Sequence, residues 1–169
     1  MHGNPERTAL LAGTATFVAL MAAGAWAAIP VGPVPVTLQT FFLLLAAPVM
    51  KRRAVVPAAV YLLLGTLNLP VFHAGLSGIG VLLGPSGGFL IGFVPAAAVA
   101  GLAYETRSRG IRIAGLAGAT MVIYACGVAW LLLSEGLTLP AAFLVGVLPF
   151  LPGDVLKIAA VFLLGERLA

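Results

Sequence analysis

Two side chains able to do chemistry stand out because apolar residues surround them. Asp154 and Lys157 are three residues apart, a spacing that places both on one face of a helix. Ionisable side chains inside an apolar membrane segment are costly unless they pair with each other or serve a ligand. If the two residues serve a ligand, Lys157 binds an anionic group of it. Asp154, a candidate helix N-cap, then accepts hydrogen bonds from N–H donors of the ligand. These two groups suit a small zwitterionic or carboxylated ligand. The alternative interpretation, an ion pair with a purely structural role, is not excluded by the sequence.

Small residues recur at helical spacing in two further places. Glycines stand four apart at positions 80, 84, 88 and 92, with another at 87, which permits the close approach of a ligand or of a second helix. Alanines line one face of the first helix at Ala15, Ala19, Ala23 and Ala27. Such a stripe allows close helix contact. Spacing alone leaves open whether that contact lies within the chain or with another protein.

Other polar groups indicate what the chain does not do. His73 lies in a loop expected to face outward and is a candidate ligand contact, but with no second ligand residue nearby it does not predict a metal site. Neither Lys51 nor Lys157 follows a glycine, so the phosphate-binding loop of many ATPases is absent. No paired carboxylates on one helix and no nucleophile motif occur, so we predict no catalytic residues and no enzyme.

The composition predicts that these residues lie in a membrane protein. The chain is 62% hydrophobic and 8% charged, and its mean hydropathy is +1.15. Soluble domains carry about 25% charged residues. Residues 8–50 and 54–104 contain no charged side chain, and each stretch is long enough for two crossings at about 20 residues per helix. Despite a pI near 9.9, the basic residues are typical of orientation signals rather than of nucleic-acid binding.

Six transmembrane helices in one domain, residues 1–169, are therefore expected. They are predicted over about 8–28, 37–50, 54–69, 88–105, 113–133 and 154–167. The segment 70–88 is too rich in glycine and proline for a regular element, and 140–150 is a partial helix broken at 151–153. Basic residues fall at one side of this arrangement, so both termini are predicted to be cytoplasmic and the irregular loops to face outward.

Three motifs give the sequence a resemblance to a known family. PVPVTLQT at 33–40, LLGPSGGFLIGF at 82–93 and LPGDVLK at 151–157 occur in this order. Together they resemble the BioY family, the biotin-binding S components of energy-coupling factor (ECF) transporters. These six-helix proteins work with a transmembrane T component and cytoplasmic ATPases. The resemblance spans about residues 29–157.

The resemblance implies roles for particular residues. Asp154 and Lys157 would line the biotin pocket, with Thr37 and Gln39 near the first outer loop. Family members carry threonine or a basic residue at the position of Ser86, and they vary around His73. The glycines Gly84, Gly87 and Gly88 would lie beneath the ligand, and the alanine stripe of Ala15, Ala19, Ala23 and Ala27 would dock the T component.

The expected function is high-affinity capture of biotin at the outer face of the plasma membrane, with biotin as transported ligand and no cofactor. Biotin supplies a carboxylate, two ureido N–H donors and an apolar bicycle, which match one cation, one anion and an apolar cavity. Two alternatives remain: an S component or carrier for another small carboxylated vitamin, and a non-transporting helical assembly protein.

Overall fold

The computed structural model describes residues 4–168, and the regular elements in this range are helices. One isolated antiparallel bridge pairs Ile29 with Val36. The α-helices are α1 (Pro5–Trp26), α2 (Gln39–Met50), α3 (Val55–Thr66), α4 (Ile79–Leu83), α5 (Gly87–Ile91), α6 (Phe93–Ala103), α7 (Arg109–Ser134), α8 (Leu139–Gly146) and α9 (Leu151–Leu168). Two 3₁₀ turns, Lys51–Ala54 and His73–Gly75, complete them.

Several helices have the length and composition of membrane spans. α1 and α7 are each long and apolar enough to cross a membrane alone. α8 and α9 meet the same criterion only as a pair, which is bent by 51° at the break between them. Gly87–Ala103, which combines α5 and α6, forms a shorter apolar helix. The prediction of an all-α membrane protein is therefore confirmed.

The start of α9 differs from the sequence prediction. The helix begins at Leu151 rather than Asp154, and the break lies at 147–150 instead of 151–153. Pro152 is tolerated because a proline in the first helical turn leaves no needed N–H unsatisfied. The Asp154 N–H donates to the carbonyl of Phe150 at 2.8 Å, so Asp154 lies inside the helix. The expectation that Asp154 is an N-cap was wrong.

The glycine-rich segment also contains more regular structure than expected. Residues 70–88 include the 3₁₀ turn at His73–Gly75 and the short helix α4, and α5 begins at Gly87. Ala74, Gly75 and Gly78 have positive φ angles, which turn the chain back between these elements. Gly78 donates its N–H to the carbonyl of Gly65 at 2.7 Å, so this segment is fastened to the end of α3.

The packing places α2 inside the bundle. It contacts α1, α6 and α9, while α7 packs along α5 and α6 and also contacts α8 and α9. Two hydrogen bonds between Ile29 and Val36 close the proline-rich loop that leads into α2. The Leu38 N–H then donates to the Gly24 carbonyl at 3.1 Å, which seats the start of α2 against α1.

The alanine stripe lies on the surface of the described structure. Ala15, Ala19, Ala23 and Ala27 are all exposed, and Ala27 lies just beyond the end of α1. The core-facing side of α1 is formed instead by residues such as Phe17, Met21 and Ala25. The stripe is therefore not a seam within residues 4–168.

Candidate functional site

A cavity opens where the loop before α2 meets α5, α6, α7 and α9. It contains about 510 Å³ of atom-free space including its open mouth. Polar and aromatic groups lie side by side in its wall. Its lining residues are Val34, Pro35, Thr37, Gln39, Thr40, His73, Ser86, Phe89, Leu90, Phe93, Ile123, Tyr124, Phe150, Asp154 and Lys157.

An ion pair forms the charged part of this cavity. The Lys157 Nζ lies 2.8 Å from Asp154 Oδ1, and the two side chains are only 10% and 9% exposed. They meet because the first turns of α9 place residues three apart on one face. Removing two charges from water is expensive, and their attraction offsets that cost only when further hydrogen bonds complete the arrangement.

Those further hydrogen bonds come from two neighbouring helices. Lys157 Nζ also donates to Thr40 Oγ1 on α2 at 2.9 Å. The hydroxyl of Tyr124 on α7 donates to Asp154 Oδ2 at 2.6 Å. The pair thus connects α2, α7 and α9 at the cavity, and both carboxylate oxygens of Asp154 are engaged. A carboxylate oxygen accepts more than one donor, so Asp154 keeps capacity for a ligand N–H.

A second group of hydrogen-bonded polar side chains lies where the chain enters α2. Thr37 Oγ1 donates to Gln39 Oε1 at 2.9 Å, and it accepts from the backbone N–H of Gln39 at 3.3 Å. The Gln39 amide donates to the hydroxyl of Tyr61 on α3, which in turn donates to the carbonyl of Val71. This chain of hydrogen bonds ties the entrance of α2 to α3 and to the segment that carries His73.

Aromatic side chains form the apolar part of the cavity. Phe89 and Phe150 lie with ring centroids 6.3 Å apart, and Phe93 stacks near Tyr61 at 6.4 Å. Phe89 reaches this position because Gly127 on α7 leaves room for its ring, where a Cβ would overlap it. Such a surface suits a flat apolar ligand, whose burial near polar anchors is typical of small-molecule sites.

His73 and Ser86 lie at the outer edge of the cavity. Both also line a neighbouring, more open pocket that contains Gly84 and Pro85. Burial lowers the pKa of the His73 imidazole below its ordinary value, which favours the neutral ring. A neutral imidazole can donate one hydrogen bond to a ligand at the mouth.

The three glycines expected beneath the ligand lie behind the cavity wall. None of Gly84, Gly87 and Gly88 is among its lining residues. The Gly84 carbonyl accepts from the Trp130 indole at 3.0 Å, and a Cβ on Gly88 would collide with Trp130 and with the Cys126 carbonyl. Gly88 therefore lets α5 pack against α7, as the helix-packing interpretation proposes, and so positions Phe89, whereas a Cβ on Gly87 would meet the backbone of Leu82 in α4.

Several lining residues were not predicted from the sequence. Thr40 stands in the same motif as Thr37 and Gln39, one residue beyond them, and that position was the available signal. Tyr124 is the one tyrosine of α7, a polar group within an apolar run. Phe89 and Phe93 stand in the motif at 82–93, but phenylalanine in an apolar helix looks like any core residue, and Phe150 lies outside the three motifs. In residues 4–168 no three His, Cys, Asp or Glu side chains cluster as metal ligands would.

Comparisons with known proteins show several relatives of similar length. A probable biotin transporter BioY of Pyrococcus horikoshii is 40% identical over 155 residues, covering 91% of this chain and 92% of that protein. The biotin transporter BioY of Thermotoga maritima is 41% identical over 155 residues, covering 90% of each chain. The relative of Rhizobium etli with the same description is 34% identical over 167 residues, covering 90% of this chain and 89% of that protein.

The fold is also known from a solved structure. The crystal structure of the S-component for biotin from an ECF-type ABC transporter superposes with a TM-score of 0.88, covering 99% of this chain and 94% of that one at 23% identity. At this identity the likeness concerns the fold. The model of the BioY family matches residues 3–169, nearly the whole sequence. The chain therefore belongs to the BioY family.

Proposed function

We propose that this protein is the biotin-binding S component of an ECF-type uptake transporter and that it captures biotin at the outer face of the membrane. The observation that carries the proposal is the buried Asp154–Lys157 pair at a cavity with an aromatic wall. Ionisable residues at membrane depth are typical of substrate sites. The relatives named above are described as biotin transporters, which specifies the ligand.

The chemistry of biotin matches the groups at the cavity. Lys157 binds the carboxylate, and Asp154 accepts hydrogen bonds from the ureido N–H groups. Phe89, Phe93 and Phe150 pack against the apolar bicycle. The protein forms and breaks no covalent bond in this function.

The remaining polar residues take supporting roles in the proposal. Thr37 and Gln39 are buried at the cavity and already hydrogen-bonded to each other, so they orient the wall and offer a second acceptor. Ser86 and His73 contact the ligand at the mouth. Gly84, Gly87 and Gly88 act indirectly: Gly88 lets α5 approach α7, Gly87 lets α5 approach α4, and the Gly84 carbonyl accepts from the Trp130 indole.

The proposed topology has six crossings in one domain, residues 1–169, of which 1–3 and 169 lie outside the described residues. The crossings are α1, α2, α3, the α5–α6 pair, α7 and the α8–α9 pair. The turns that carry Lys51, Arg52 and Arg53 and then Arg107, Arg109 and Arg112 would face the cytoplasm, with both termini. The cavity then opens to the outside.

We propose that the exposed alanines on α1 dock the T component, which connects the protein to the cytoplasmic ATPases. Small side chains let two helices approach closely, and Ala15, Ala19, Ala23 and Ala27 are exposed. Ala19→Leu together with Ala23→Leu should leave biotin binding intact and abolish uptake in cells that contain the T component and ATPases. The matched control is Ala59→Leu, an exposed alanine on α3. Full uptake by the double variant would exclude this docking face.

The ligand assignment is tested by binding of labelled biotin to purified protein. Wild type should bind, and Asp154→Asn and Lys157→Gln should each weaken binding by at least about thirtyfold, because truncating a buried charge pair typically costs 2–5 kcal/mol. The control is Glu166→Gln, which breaks ion pairs about 14 Å from Lys157 and about 18 Å from Asp154 along α9, at roughly 1.5 Å per residue.

Competition separates the proposal from its alternatives. An excess of unlabelled biotin should displace the label, and other carboxylated vitamins should not. Displacement by another vitamin at lower concentration than biotin would identify a different substrate. A folded wild-type protein that binds none of them would favour an assembly role.

A further inference from the structure

A second cavity lies at the opposite end of α2 from the candidate site. It is formed by α1, the end of α2, the 3₁₀ turn Lys51–Ala54 and Glu105, and it contains about 890 Å³ of atom-free space including its mouth. It is roomier than the ligand cavity described above. Its lining residues are Ala9, Leu10, Gly13, Val49, Met50, Lys51, Arg52, Arg53 and Glu105.

The lining combines an apolar wall with a cationic rim. Ala9, Leu10, Val49 and Met50 carry no polar side-chain group able to hold an ion. Three cations and one carboxylate stand at the rim. Arg52 pairs with Glu105, and Arg53 pairs with Glu6 outside the lining, each at 3.3 Å. These pairs are solvent-exposed and therefore exchange partners at little cost.

Lys51 is the uncompensated cation of this cavity. Within residues 4–168 its ammonium has no hydrogen-bond or ion-pair partner, whereas both neighbouring arginines do. Its backbone is held at φ 52 and ψ −136, a conformation that residues with a side chain rarely adopt. Gly101 on α6 lies so close to the Lys51 carbonyl that a Cβ there would collide with it. The turn is therefore held in place against α6, and the uncompensated charge of Lys51 lies beside the apolar wall.

We propose that this cavity binds an anionic membrane phospholipid, with the phosphate headgroup at Lys51 and an acyl chain along the wall between α1 and α2. A phospholipid joins an anion to an apolar chain, which is the combination that the lining offers. Basic pockets between membrane helices commonly hold such headgroups. A soluble anion would use the rim alone and leave the apolar wall uncovered. The site is separate from the ligand cavity, because the two share no lining residue.

The test uses the full-length protein in nanodiscs of phosphatidylcholine with or without phosphatidylglycerol, followed by native mass spectrometry of the retained lipid. Wild type should retain phosphatidylglycerol in preference to phosphatidylcholine. Lys51→Gln should weaken that retention about fivefold, the ratio expected for one lysine near a lipid headgroup. Gly13→Leu should weaken it without changing charge, because Gly13 lies in the apolar wall beside Met50.

The matched control is Arg107→Gln, an exposed cation in the turn before α7 that is not part of the lining. It should retain phosphatidylglycerol like wild type. Unfolding temperatures in phosphatidylcholine alone establish that each variant is folded. Equal loss in Arg107→Gln and Lys51→Gln would mean diffuse surface charge and would overturn the proposal. Wild-type retention of both lipids alike, or full displacement of phosphatidylglycerol by inorganic phosphate, would also overturn it.

Discussion

Replacing Lys157 by methionine should destabilise the protein strongly even without ligand. Methionine keeps the unbranched shape but removes the cation, so Asp154 stays buried with Tyr124 as its one remaining hydrogen-bond donor in the described site. Both members of the pair are about a tenth exposed, so solvent screens them weakly. Removing one partner of a buried pair typically costs about 3–5 kcal/mol, and we expect a loss in that range.

The double variant Asp154→Asn with Lys157→Met makes this prediction sharper. It removes both charges, while asparagine still accepts the hydrogen bond from Tyr124. It should therefore be more stable than Lys157→Met alone, and its loss of stability should fall short of the sum of the losses in Lys157→Met and Asp154→Asn by an interaction free energy of about 0.5–3 kcal/mol. Unfolding is followed by circular dichroism in detergent micelles without biotin, so that ligand binding adds no stability. Wild-type stability in Lys157→Met, or purely additive losses in the double variant, would refute the burial argument.

Three further predictions concern the surroundings of the pair. Tyr124→Phe should lower stability by about 1.5–3 kcal/mol, since it deletes a hydrogen bond to a charged carboxylate, and denaturant unfolding would measure this. Gly88→Ala should push α5 away from α7 and so raise the Kd for biotin. Gly80→Ala should bind biotin like wild type, because a Cβ at Gly80 would lie in open space. His73 has a lowered pKa in the folded protein, so the unfolded chain takes up the proton first as pH falls. The free energy of unfolding should therefore be constant above about pH 6.5 and fall below it. Unfolding temperatures measured across this pH range should depend less on pH in His73→Gln.

The sequence predicted the helical membrane class because long charge-free stretches have few other solutions. Helix ends were less predictable, since local signals compete there. Asp154 looks like an N-cap after Pro152 and Gly153, yet α9 begins earlier because both residues are tolerated in a first helical turn. The segment 70–88 contains α4 because its glycines and prolines are unevenly spread: Ile79–Leu83 has one glycine and no proline.

The candidate site was predictable where a residue type is unusual for its surroundings. A charge in an apolar segment is conspicuous, and Asp154 and Lys157 do meet at a cavity. Phe150 is not conspicuous, because only the bend between α8 and α9 turns it toward Phe89. The role of Gly88 depends on which helix approaches it, and spacing alone does not encode the partner.

The most direct test compares biotin with its methyl ester on wild type and on Lys157→Met. Esterification removes the ligand charge that Lys157 is proposed to bind and leaves the ureido group intact. Wild type should bind biotin at least about thirtyfold more tightly than the ester, as expected for a desolvated charge pair. Lys157→Met should bind the two ligands with nearly equal affinity. An undiminished preference for biotin in Lys157→Met would contradict the account, because the carboxylate would then be recognised elsewhere.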